Sequence, residues 1–446
     1  MKGQYEPSAD ACPLSDRAQR RNVLLIGAVT ALNYLATPVT YVWIDAPLCA
    51  RLGANNTIAN LPSTGYLAFA VTPLFVSWAF SSAALFKPIM VISNALFAGT
   101  CALVAAVLLL DVPNGVKITM LILHGSVAGA TLTTAITILF EVLGRGVSVA
   151  RRGQALGLAY GVGPVLAAGS ALGSQLILPQ NENAGGADVL WKYALIFAAS
   201  APIMGLAAYL SSRFVVPTAS APGSVEPFGL WFLGGLRDFL GRRVLRRTTV
   251  LAVLMFSAYH IGDNLALYTK YAMQRLPEDY LGLQQFMRYA FKIGAGFLLG
   301  WLLTRTNPKR VLLVSATFGL IAVVWALAAT GYGYLLSFGF LGAGELFGPY
   351  VTNYILACSP PAQVRRNMAF TVLLMFPAAL AGPLFGGIAD HYGKVVSGAV
   401  GFQASIAVAA VFIGVALGMM LLLPAQPRPE EVHVAGGNVI SAEVSL

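Results

Sequence analysis

Residues 150–155 read Ala150-Arg151-Arg152-Gly153-Gln154-Ala155, and residues 364–369 read Val364-Arg365-Arg366-Asn367-Met368-Ala369, an offset of 214 residues in a chain of 446. Each arginine pair opens an apolar stretch rich in small residues and proline. The first contains Gly161, Gly163, Pro164, Gly169 and Gly173; the second contains Pro377, Gly382, Pro383, Gly386 and Gly387. Small residues at helical spacing let backbones approach closely, and a proline inside a span bends it and frees a carbonyl. A pattern repeated half a chain apart, each time at the mouth of an apolar helix, predicts two repeated halves that meet at a midplane cavity.

Composition supports a membrane setting for those helices. Hydrophobic residues make up 57% of the chain and charged residues 10%, against roughly 25% charged in an ordinary soluble domain. With a mean hydropathy of +0.73, too little polar surface is left to clothe a water-soluble particle, so a soluble enzyme is excluded and the lipid bilayer is the expected surrounding. The formal net charge of +10 would point to nucleic acid if the basic residues gathered on one solvated face. They punctuate apolar segments instead, so no nucleic-acid partner is expected. Cys12, Cys49, Cys101 and Cys358 lie far apart with no paired spacing, which supports neither a disulfide framework nor a metal site.

Apolar stretches of about 20 residues or more, the length a spanning helix needs, occur near 23–44, 58–84, 88–110, 117–141, 153–178, 191–212, 248–272, 281–303, 309–330, 333–357, 366–388 and 397–423. The expected fold is therefore an all-α polytopic membrane protein with twelve transmembrane helices in two six-helix repeats. Alternating the connections between the two sides puts 20 Lys and Arg on one face and 6 on the other. Because basic residues stay cytoplasmic during insertion, both termini are expected inside, in a cell (inner) membrane. The domain order follows: a cytoplasmic tail at 1–22, an N-terminal bundle at 23–212, a central cytoplasmic loop at 213–247, a C-terminal bundle at 248–423 and a cytoplasmic tail at 424–446. Within the central loop, Phe228, Trp231, Phe232 and Phe239 among arginines predict an interfacial helix or an extension of the seventh span.

Twelve spans in two halves, a basic central loop, Arg151-Arg152-Gly153 ahead of span five, and Gly161-Val162-Gly163-Pro164 within it resemble the major facilitator superfamily across the whole chain. The glycine–proline run is similar to that family's fifth-helix motif, often associated with proton-coupled exchangers. The family's Gly-x-Leu-x-Asp-Arg-x-Gly-Arg-Arg motif between helices two and three is missing: Ser81-Ser82-Ala83-Ala84-Leu85-Phe86-Lys87 stands there. Its counterpart between helices eight and nine is partly kept as Gly300-Trp301-Leu302-Leu303-Thr304-Arg305, followed by Lys309 and Arg310, with Thr304 in the acid's place. The resemblance implies a secondary transporter, functional as a monomer, that works by alternating access. It needs no cofactor and has the proton gradient as its energy source.

Charges inside spans are the informative residues, since each costs several kcal/mol unless paired, hydrated or neutralised. Span eight carries Gln284, Arg288 and Lys292 at i, i+4 and i+8, hence along one face. Span seven carries His260, Asp263, Asn264 and Tyr268, and span ten carries Glu345 between glycines. At about 1.5 Å rise per residue, Lys292 and Glu345 share a depth near the midplane, and Arg288 and Asp263 share a shallower one. One expectation is structural pairing, Arg288 with Asp263 and Lys292 with Glu345. The other is a solute site: Arg288, Lys292, Gln284, Asn264 and Tyr268 hold a small polar, anionic solute together with Asn33 and Thr37 of span one, while Glu345, Asp263 and His260 carry the proton. Glu141, Arg151, Arg152, Arg305, Arg365 and Arg366 are expected at the cytoplasmic gate, Glu141 pairing with a neighbouring arginine. Gly161, Gly163, Pro164, Gly382 and Pro383 are expected to shape helix packing. His124 is expected to be a packing residue and Asp45, at the end of span one, to be solvated.

Metal-dependent hydrolysis and nucleotide chemistry lack their motifs, with no His-Glu-x-x-His and no P-loop, so the chain is not expected to be an enzyme. Two other functions suit the same fold: proton-driven efflux of amphipathic compounds, and a non-transporting membrane sensor or lipid-handling protein.

Overall fold

A backbone in hydrocarbon must satisfy its own hydrogen bonds, which restricts apolar spans to helices or closed barrels. The computed structural model describes residues 14–80, 82–178, 186–216, 227–359, 367, 370, 371, 373 and 376–425, and these are mainly helical with no strand among them. Among the described residues, eight helices are long and apolar enough to cross a membrane: Phe86–Leu109, Asn114–Gly146, Gln154–Ile177, Val189–Ser211, Arg243–Ala272, Leu281–Leu303, Pro308–Ala328 and Gly398–Leu421. They correspond to spans three to nine and span twelve. Their outward surfaces are apolar, with Leu176 84% and Phe297 79% exposed, while Asn22, Asn94, His124 and Gln284 are fully buried. That distribution, inverted relative to a soluble domain, is what a lipid solvent selects.

The other four spans are chains of shorter helices. Span one is Asp16–Leu35 followed by Thr37–Thr40; span two is Asn56–Ala59, Leu61–Phe69 and Thr72–Ala79; span ten is Leu336–Glu345 followed by Phe347–Ala357. Span eleven closes with Ala381–Val395, its beginning lying largely outside the described residues. Pro38, Pro62, Pro73 and Pro349 fall in the first turn of the following piece, where a missing N–H is tolerated but the preceding helix cannot run through. Span seven also breaks, at His260 between Arg243–Tyr259 and Ile261–Ala272.

Close backbone approach assembles each half. An added Cβ on Gly125 would lie 2.2 Å from the Pro62 carbonyl, and one on Gly129 would lie 1.9 Å from that of Tyr66, so spans four and two touch through bare backbone. Gly163 leaves room for the Tyr34 ring on span one. Gly161, expected in the same set, has nothing within 4 Å among the described residues: two positions along a helix turn a residue by about 200°, to a different neighbour. Gly382 and Gly386 admit span two of the opposite half, against Thr64 and Asn56.

Among the described residues, two α-helices lie outside the spans. Asp45–Arg51 sits at the end distal to the chain termini. Phe228–Gly241 crosses the proximal end, where Phe228 packs on Phe75 and Trp78 of span two, at 5.6 and 4.9 Å between ring centroids. Phe232 and Phe239 pack on Phe370 of span eleven, so this helix touches both halves.

Candidate functional site

The internal helix breaks at Ala36, His260 and Leu346 place side chains at mid-depth rather than along a smooth wall. Glu345 is the last residue of its helical piece. The carbonyl of Gly344, at the break, accepts from the Tyr259 hydroxyl at 2.5 Å and the Ser315 hydroxyl at 2.9 Å, which fixes the geometry. The Glu345 carboxylate then bridges both cations of span eight: Arg288 Nε donates to Oε2 at 3.0 Å, its NH2 group pairs with Oε1, and Lys292 Nζ lies 2.5 Å from Oε2. All three side chains are less than one fifth exposed. One carboxylate against two cations leaves a local excess of one positive charge.

Span one closes this site from the other half. The Trp43 ring lies under Arg288, whose guanidinium carbon is 3.9 Å from the ring centroid, and Lys292 Nζ is 4.9 Å from the Tyr289 centroid. Tyr34, Tyr41, Trp43 and Tyr289 form one aromatic cluster across the two halves. The turn that delivers Trp43 runs through Val42 at φ +52°, a left-handed conformation that a β-branched residue adopts only under strain. Sequence reading missed Trp43 because it lies just before the end of its span, where an indole is ordinarily an interface anchor.

The other predicted site residues divide. Asp263 does not pair with Arg288; it accepts from the Ser63 hydroxyl of span two, so the expected Arg288–Asp263 pair is replaced by Arg288–Glu345. Asn264 accepts from Asn60 at 2.9 Å and donates to Ser405 at 3.0 Å, Gln284 donates to Thr269 at 2.8 Å, and Tyr268 accepts from Gln403 at 2.9 Å. Within span eight, Gln284 thus serves the packing of span seven while Arg288 and Lys292 face the cluster. On span one, Asn33 donates to its own helix at Val29, while its Oδ1 and the hydroxyls of Thr30 and Thr37 are buried without a partner among the described residues. His260 sits at the break of span seven, half-buried. His124 is wedged between Phe97 and Phe197 and bonds Thr100 and Val39, as a packing residue does.

At the proximal end Arg152 donates to the carbonyls of Gly144 at 2.6 Å and Val147 at 3.2 Å, capping span four. Arg151 pairs with Asp16, and Glu141 pairs with Arg145. Arg305 is exposed at the end of span eight. Arg365 and Arg366 lie outside the described residues.

The distal end is where the halves are tied together. Asp390 of span eleven accepts from the backbone N–H groups of Asn56 and Thr57 at 3.1 and 2.9 Å and from their side chains at 2.9 and 2.7 Å. Gln175 of span five donates to the Asp279 carbonyl at 2.6 Å and accepts from the N–H groups of Gly282 and Leu283. Asn60–Asn264 and Ser63–Asp263 complete the closure. Glu278, in the turn Pro277–Asp279 beside it, is buried, and burial pushes its carboxyl above the ordinary range against the opposing pull of Arg51. Asp45 is also buried here, with 0% exposure, which corrects the expectation that it is solvated: helix Asp45–Arg51 folds it inward instead of ending the span at the surface.

This arrangement of helices is close to that of solved transporters. A mutant form of the nucleoside transporter NupG matches with a TM-score of 0.67 at 14% identity, covering 90% of this chain and 99% of that one. The chain has the major facilitator fold. A D-xylose-proton symporter matches with a TM-score of 0.64 at 14% identity over 92% of this chain and 99% of its own. A POT family transporter in complex with 5-aminolevulinic acid matches at 0.65 and 12%, over 90% and 96%. At such identities the likeness is one of fold. No protein-family model matches the sequence, and no curated protein does.

Proposed function

We propose that this protein is a secondary transporter that moves a small polar solute bearing a negative charge across a cell membrane, both termini cytoplasmic, by alternating access coupled to protons. The observation that carries the reading is the Arg288–Glu345–Lys292 cluster, built from spans eight and ten of one half and covered by Trp43 of the other. A site shared by both halves is one that their relative movement opens to either side in turn. Two cations held by a single carboxylate form a site that exchanges partners. When Glu345 takes a proton, Arg288 and Lys292 are freed to hold a carboxylate or phosphate, the guanidinium bidentately and the ammonium as a point charge. When the solute leaves, Glu345 loses its proton and reclaims the pair. Structural neighbours named for a nucleoside, a sugar taken with a proton and a bound amino acid support a small polar cargo. The distal ties correspond to closure on the outer side.

Purified protein in proteoliposomes tests this, with carboxylated and phosphorylated metabolites first screened by ligand-induced thermal stabilisation. Glu345→Gln should abolish proton-driven accumulation yet preserve counterflow, because exchange between two pools of solute moves no net proton. A well-folded Glu345→Gln protein that still accumulates solute against its gradient would show that the proton is carried elsewhere. A structural pair alone predicts a third result, loss of the protein from the membrane, since removing one partner of a buried ion pair costs about 3–5 kcal/mol.

A further inference from the structure

We propose that Asp45 is a proton-binding residue of the distal closure: its carboxyl takes up a proton when the two halves close there and gives it up when they part. The inference rests on the alternating-access reading and concerns a residue outside the Arg288–Glu345–Lys292 cluster. Asp45 has no exposed surface, and neither of its carboxylate oxygens has a hydrogen-bond partner among the described residues. An ionised carboxylate seeks up to four donors, and burying it with none is among the most costly arrangements a protein can hold. A neutral acid in the same place carries no charge to solvate.

The groups that face it do not relieve that cost. Asp263 acts on it from span seven of the other half, and it is a second carboxyl. Cys49 of its own helix and Cys101 of span three are close, both buried thiols. Tyr193 of span six is also within electrostatic reach, its hydroxyl buried and without a partner among the described residues; Arg51 and Glu278 act on Tyr193 in turn. Of the two carboxyls, Asp263 has the Ser63 hydroxyl and the field of Arg288, whereas Asp45 has neither. The buried proton therefore belongs on Asp45.

Closure completes this environment. Asp45 and Ser63 come from one half and Asp263 from the other, and the contacts Ser63–Asp263 and Asn60–Asn264 bring them together. Parting the halves withdraws Asp263 and admits water, and both changes favour the ionised form. Proton uptake and distal closure are thus linked: acid favours the closed form, and raising the pH favours the open one.

Hydrogen–deuterium exchange on the full-length protein in nanodiscs, with no solute present, reads the closure directly. Labelling between about pH 5.5 and 8, with times scaled to equal chemical exchange, should show protection of 56–69 and 277–288 in the wild type falling roughly tenfold or more as pH rises. Protection of 308–328, away from the closure, should stay constant. Asp45→Asn, a neutral isostere, should keep 56–69 protected across the range and leave in 277–288 only the smaller response of its own Glu278, and Asp45→Thr serves as a second neutral variant if the first does not fold. Asp263→Asn should retain a response, weakened because the neighbouring anion that helps hold the proton on Asp45 is gone. Flat protection in the wild type, a wild-type response in Asp45→Asn or Asp45→Thr, or a response lost only in Asp263→Asn would each overturn the assignment. Since no solute is transported, failure here leaves the transport reading standing, and a failed transport assay leaves this result untouched.

Discussion

At the residue scale, the decisive feature is that charge sits where lipid makes it expensive and is balanced unequally. Gln284, Arg288 and Lys292 were legible as one helical face because i, i+4 spacing is a property of the chain alone, and the shared depth of Lys292 and Glu345 follows from rise per residue. Which anion takes Arg288 was not legible. Asp263 matched it in depth, but depth says nothing of azimuth, and the Ser63 hydroxyl from another span claims Asp263. Glu278 gives a prediction at this scale. Burial holds its carboxyl above the ordinary range, so the stability it contributes is complete at acid pH and is lost as pH rises through its raised value. The melting temperature of wild-type protein should therefore decline from about pH 4 towards neutrality more steeply than that of Glu278→Gln. Equal slopes would mean that Glu278 is neutralised in place by Arg51.

At the scale of elements, the twelve apolar stretches announced the helices, but the prolines marked only some of the breaks: Pro164 and Pro202 sit inside continuous helices, and span seven breaks at His260 without one. What periodicity could not reveal is which glycines are in contact, because a helix presents small residues on every side. Gly129 faces the Tyr66 carbonyl at a would-be Cβ distance of 1.9 Å, while Gly161 faces open space. Gly129→Ala must push span two away and should cost about 3 kcal/mol or more, at the upper end of overpacking. Gly161→Ala relieves a poor helix former and should be neutral or stabilising by up to about 1 kcal/mol. Thermal unfolding of the two purified variants in detergent checks both, and a milder loss in Gly129→Ala than in Gly161→Ala would refute the packing order.

At the scale of the whole molecule, the halves are latched at the distal end, and Asp390 is the most heavily bonded member of the latch. Its carboxylate accepts four hydrogen bonds from the start of span two. Removing it should weaken the closed form by about 2–4 kcal/mol, given about 1.5–3 kcal/mol for a single bond to a charged group and the partial compensation water provides once the halves part. Spin labels at Asp111 and Arg275, exposed distal positions in the two halves, should report a single short distance in the wild type and a second, longer one in Asp390→Ala. An unchanged distance distribution would show that Gln175 and the asparagine pair hold the closure unaided.

The chain by itself determined that this is a helical membrane protein in two repeated halves, because lipid solvation acts on local composition and the repeat is written in the order of residues. It also determined which helices carry charge, since every intramembrane Lys, Arg, Asp and Glu is visible without coordinates. Only the tertiary structure decided that Trp43 covers Arg288, that Glu345 bridges two cations, that Asp45 is buried without a donor and that Asp390 latches span two to span eleven. Each of these joins residues far apart along the chain across a contact between elements. Such contacts depend on helix rotation and on a few ångströms of backbone approach, quantities that composition and periodicity leave free.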